Sequence, residues 1–202
     1  MNKPIVIAVS FIAIAFAACS GANSSKKIIV MASGTITVTG KTIKLEPSFS
    51  HHEQELIFKD DKLTLTVQNT EGPGKTFDIA DNGIYVLNLQ KDTIIGGLVN
   101  YGASGRPGSI TGEQMDHIID STKQLMLGTN ASDAKGTYFL VPFTIKKVST
   151  KSSTRVIGAF KGIPYTNSAD DSGALPDIIK FFTNTQKREA LQDLMDQKAK
   201  LH

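Results

Sequence analysis

The sequence predicts an α+β fold, an antiparallel β-meander sheet packed with a central amphipathic helix and C-terminal helices. Three observations carry this. Residues 28 to 98 alternate apolar and polar side chains between short turn sequences, the period-2 pattern of half-buried strands. Residues 111 to 127 place apolar side chains at helical spacing between a capping sequence and a glycine. The final stretch, from Pro176 onward, returns to helical spacing.

The strands begin clearly at Thr35–Thr39, where Ile36 and Val38 alternate with threonines. Gly40 and Lys41 then form a two-residue turn into Thr42–Leu45. Leu56–Lys59 and Lys62–Gln68 flank Asp60-Asp61, with Leu63, Leu65 and Val67 on one face and Thr64 and Thr66 on the other. Thr76–Ala80 and Ile84–Leu89 flank Asp81-Asn82-Gly83, and the Asn-Gly pair favours the positive backbone dihedrals of a hairpin turn. Three hairpins in succession predict an antiparallel meander. Further strands are expected at Thr137–Val141, Thr144–Ser149 and Arg155–Phe160.

Thr111, with Gln114 three residues on, is a capping box. Met115, Ile118, Ile119, Thr122 and Met126 then share a face until Gly128 stops the helix. Pro176 suits a first helical position, so Ile178, Ile179, Phe181 and Phe182 are expected in a helix over about 176–183. A last helix over about 185–200 places Leu191, Leu194, Met195 and Lys198 on one stripe. That stripe is expected to pack on the sheet, because the polar face is mixed in sign.

The N-terminus has a different purpose. Lys3 gives a positive start, and Ile5 to Phe16 form an apolar run of about a dozen residues, long enough for export but shorter than the roughly 20 a membrane span needs. Phe16, Ala17, Ala18 and Cys19 resemble the lipobox of bacterial lipoproteins, with phenylalanine where leucine is commonest. The resemblance implies cleavage before Cys19, diacylation of its sulfur and anchoring to membrane lipid. In Gram-negative bacteria Ser20, in place of an aspartate, favours the outer membrane, and the lack of an acidic cluster after it favours the periplasmic face. Cys19 is the sole cysteine, so no intramolecular disulfide competes for it. The expected organisation is a signal peptide over 1–18, a lipidated cysteine and flexible tether over 19–27, and one globular domain over 28–202.

Removing residues 1–18 takes away Lys3 and leaves 21 basic against 19 acidic side chains, a balance of +2. The basic pairs are scattered and give no electrostatic footprint for nucleic acid. The best candidate ligand site is the glycine-rich stretch Gly96–Gly112, which leads into the N-terminus of the central helix. Ser104, Arg106, Thr111 and His117 are its candidate ligand-binding residues. It carries no phosphate-binding consensus, and Ser104 lacks the glycine spacing of a nucleophile elbow. Glu113, His117 and Asp120 share a helical face, which the helix's polar side predicts to be solvated. Adjacent His51, His52 and Glu53 have the wrong spacing to converge on one metal. No catalytic set, metal site or cofactor is therefore assigned.

The sequence thus predicts a non-catalytic lipoprotein that binds an envelope protein, a glycan or a small ligand. An envelope hydrolase using the glycine-rich loop and an inhibitory or immunity-type lipoprotein are the alternatives.

Overall fold

The computed structural model of the chain describes residues 25–99, 111–164 and 175–200. Within them the fold is mostly β with two helices, as the α+β expectation requires. The strands are β1 (Lys26–Thr39), β2 (Thr42–Phe58), β3 (Leu63–Asn69), β4 (Lys75–Ile79), β5 (Gly83–Leu89), β6 (Ile94–Leu98), β7 (Thr137–Leu140), β8 (Thr144–Ser149), β9 (Arg155–Ile157) and β10 (Ile178–Thr183). The helices are α1 (Gly112–Met126) and α2 (Asn184–Ala199).

Six strands form one sheet in the order β4-β3-β2-β1-β5-β8. It curls into a nearly closed barrel with its seam between β4 and β8. The Lys75 Nζ bridges that seam by donating to the Phe143 carbonyl at 2.9 Å. The other four strands form a second sheet in the order β7-β6-β10-β9.

Alternation along β1 explains how the two sheets share a wall. Ile28, Val30 and Ala32 point into the barrel with Leu45, Leu65 and Leu87, whereas Ile29 and Met31 point outward against Ile94, Leu140, Ile179 and Phe181 of the second sheet. β1 and β5 are buried on both faces. Gly96 is also shaped by this packing, because a Cβ there would lie 2.5 Å from the Phe181 ring.

The pairing differs from a simple meander. The β1–β2 hairpin at Gly40-Lys41 forms as expected, but β2 and β3 pair in parallel, and β4 and β5 are not neighbours. β5 pairs in parallel with β1 instead. Curvature allows this, because the bent β1–β2 ribbon brings the end of β2 back towards its own start. The expected helix over 176–183 is strand β10, whose side chains are buried on both faces. A continuous apolar run of that kind has no period that separates strand from helix.

The central helix matches its expected ends within a residue. Both hydrogen bonds of the Thr111–Gln114 capping box form, and Gly128 follows the last turn with a φ of 76°. α2 also starts with a capping box, Thr183 with Gln186. It lies mainly against α1 rather than deep on the sheet, and Lys198 pairs with Asp116.

β1 begins two residues inside the expected tether. The Lys26 side chain is fully buried and its ammonium donates to the carbonyls of Asp60 and Asp61 at 2.7 and 2.9 Å and to Asn82 Oδ1 at 3.1 Å. Those three acceptors supply the hydrogen bonds that a buried cation requires.

Tyr138 ties the two sheets through its hydroxyl, which donates to the Val148 carbonyl at 2.8 Å. Burial pushes the phenol above its ordinary value of 10.0, and Asp133 adds to the effect. The protonated form is favoured in the fold, so its stabilising contribution is present below 10.0 and is lost as pH rises beyond it. Wild-type protein should exceed Tyr138→Phe by about 1 kcal/mol at neutral pH. Urea unfolding at a series of pH values should show that margin shrinking above pH 10. A margin that stays constant would refute the titration argument.

Candidate functional site

A cleft opens where the β1–β2 ribbon bends. Ser33 pairs with His51 but Gly34 pairs with Pro47, which leaves Ser48, Phe49 and Ser50 as extra residues on β2. Gly34 makes the bend possible. Its φ is 129°, and a Cβ there would sit 2.2 Å from the Glu46 carbonyl oxygen. The Ser48 and Ser50 hydroxyls share a hydrogen bond at 2.7 Å, and the Ser50 N–H donates to Ser48 Oγ at 3.2 Å.

This turn pushes Phe49 outward until 96% of it is exposed. The Lys91 ammonium lies 5.7 Å from the centre of the Phe49 ring, within cation–π range. The cleft has a volume of about 490 Å³ and is lined by Ser33, Ser48, Phe49 and His51 from the ribbon, and by Gln90, Lys91 and Asp92 from the β5–β6 connection. Phe160, and Thr183, Thr185, Gln186 and Glu189 at the start of α2, complete it. Such a volume suits a small ligand.

Two interactions set the far wall. The His51 ring stacks on Phe160 with centroids 3.5 Å apart and planes 15° apart. The Phe160 loop is fixed from below by Lys180, whose buried ammonium donates to the carbonyls of Gly158, Ala159 and Lys161. Burial lowers the Lys180 pKa, while the Glu53 carboxylate opposes that shift. Glu53 also pairs with Lys161 at 3.4 Å, and Gln186 Nε2 donates to the Ala159 carbonyl at 3.2 Å.

The N-terminal N–H groups of α2 are already satisfied. Asn184 donates to the Thr93 carbonyl at 2.8 Å, Thr185 to Asp92 Oδ2 at 2.9 Å, and Gln186 to Thr183 Oγ1 at 3.0 Å. With Asp92 and Glu189 against Lys91 in the lining, this is no anion cradle. Among the described residues no hydroxyl of the cleft is hydrogen-bonded to a histidine or carboxylate that could act as its base. The arrangement can hold a molecule against an aromatic surface and hydrogen-bond its edges.

Of the candidate ligand-binding residues read from the sequence, Thr111 and His117 lie outside this lining. Cys19, Ser104 and Arg106 fall outside the described residues. Gly96 and Gly97 belong to β6, and Gly112 opens α1. Thr111 accepts from the Gln114 N–H at 3.3 Å, so its hydroxyl serves the helix cap. His117, Glu113 and Asp120 are exposed on α1, the solvated face expected for them.

Sequence reasoning missed the cleft because its residues come from five separated segments. The available signal was weak: Phe49 is a lone aromatic between two serines in a polar stretch. Set against protein-family models, curated proteins and solved structures, the chain matches none.

Proposed function

We propose that this protein is an envelope lipoprotein, held on a membrane by acylated Cys19, whose globular domain is a non-catalytic binding module with the Phe49–His51–Phe160 cleft as its site. The outer membrane and its periplasmic face are the proposed location. The observation that carries the binding reading is the fully presented Phe49 ring, facing a built aromatic and polar wall without an assembled nucleophile and base. The lipobox-like sequence around Cys19 supports the anchor. Among the described residues no helix is long and apolar enough to cross a membrane, so attachment through lipid is the route this proposal needs. Two or more acyl chains hold far more firmly than one, at about 0.8 kcal/mol per buried methylene.

Cys19→Ser should abolish incorporation of labelled palmitate and move the protein from the membrane to the soluble fraction. Persistence of either property would refute the anchor. For the module, detergent-solubilised wild-type protein should retain a reproducible envelope component that Phe49→Ala loses. Equal retention by a folded Phe49→Ala protein would refute the cleft as the binding site.

A further inference from the structure

We infer that the ligand of this cleft is a neutral oligosaccharide, an assignment that rests on the binding-module reading above. The first argument is the platform. A pyranose ring has one face rich in C–H groups of partial positive charge, and these are attracted to the negative face of an aromatic ring. Phe49 offers such a face at 96% exposure, at the mouth of a cleft whose far wall is the stacked His51–Phe160 pair.

The second argument is the polar rim. Sugar hydroxyls both donate and accept, so they need partners of both kinds around the aromatic surface. The Gln90 amide in the lining offers both, the Lys91 ammonium donates and the Glu189 carboxylate accepts, while the Gln186 amide is engaged by the Thr183 N–H and the Ala159 carbonyl. Glu189 enters no ion pair among the described residues, so its carboxylate is available to hydroxyl donors. A purely apolar ligand would strip water from this rim and replace none of its hydrogen bonds.

Charge argues against an acidic ligand. Asp92 and Glu189 outnumber Lys91, and the α2 N-terminus donates its hydrogen bonds internally. An acidic ligand would meet two carboxylates without a free N–H cradle. The cleft is open to solvent rather than enclosed, so a chain of sugars can extend beyond the volume of about 490 Å³.

The test uses the full lipoprotein in detergent micelles with maltotetraose, cellotetraose, xylotetraose and tetra-N-acetylchitotetraose, and with tetragalacturonate as the charged comparison. Titration calorimetry and saturation-transfer NMR should detect at least one neutral member with a Kd below about 1 mM. Phe49→Ala should weaken that binding roughly tenfold or more, and Glu189→Gln roughly threefold, with melting temperatures unchanged because both side chains are exposed. Silence of all four neutral sugars, binding of tetragalacturonate alone, or binding that Phe49→Ala leaves intact would each overturn the assignment. Envelope retention that depends on Phe49 while the sugars stay silent overturns only the ligand class, and identification of the retained component as a protein does the same. Retention independent of Phe49 removes the module reading as well.

Discussion

Gly34→Ala should destabilise the protein by roughly 3–5 kcal/mol, through backbone strain at a positive φ together with overpacking. At 129° the φ of Gly34 is one that L side chains rarely adopt, and the added Cβ would lie 2.2 Å from Glu46 O and 2.7 Å from Pro47 Cα. Those are backbone atoms of the paired strand, so no rotamer change can relieve them. The bend that closes the barrel has to open, and the same bend sets Ser48 and Phe49 at the cleft. Gly40→Ala is the control: its φ is 59° and its Cβ would meet nothing within 4 Å, so it should cost only about 1 kcal/mol. Guanidinium unfolding of both variants checks the difference. A Gly34→Ala protein no less stable than Gly40→Ala would show that the ribbon bend does not depend on this glycine.

That contrast also explains how much of the fold could be read from the sequence. Local chemistry was legible. Gly40 marks the hairpin, the Thr111–Gln114 box starts α1, Gly128 ends it, and Thr144–Ser149 is a strand at its expected bounds. Non-local pairing was not. Asp60-Asp61 resembles a hairpin turn, yet it joins two strands that pair in parallel, because the bend at Gly34 reorients everything after it. β2 runs unbroken through Pro47 and the polar stretch to Glu53, and those residues hide the strand because bulge and cleft positions need no apolar alternation. At β10 the reading failed through burial on both faces, which erases the period that distinguishes helix from strand.

The cleft was harder still to foresee. Spacing along the chain finds a site only when one element carries several of its residues, and here Ser33, Phe49, Asp92, Phe160 and Glu189 are brought together by curvature and by packing of the second sheet. Ser104, Arg106, Thr111 and His117 are close in sequence, which is why they drew attention. Proximity in sequence finds a site carried by one element, and this cleft is carried by several.

Lys180→Met should cost about 2–4 kcal/mol and also weaken binding in the cleft, although Lys180 does not line it. β10 places the Lys180 side chain under the loop after β9, where one ammonium serves the carbonyls of Gly158, Ala159 and Lys161. Methionine fills similar volume but donates nothing, so buried carbonyls lose their partner at roughly 1–3 kcal/mol each before relaxation. The loop then loses the support that holds Phe160 against His51, leaving the Gln186 bond to Ala159 and the Glu53–Lys161 pair. The pH dependence separates this role from simple packing. Burial lowers the folded-state pKa of Lys180 below the ordinary 10.5, so the unfolded chain binds more protons in the interval between the two values. Stability from this group therefore rises with pH between the lowered folded-state value and 10.5, and the margin of wild type over Lys180→Met should widen as pH approaches 10.5. Urea unfolding across that range, paired with crosspeaks of the His51 and Phe160 rings by NMR, measures both effects. No margin at any pH, or ring signals unchanged in the variant, would show that the loop stands without its lysine, and a margin independent of pH would refute the titration argument.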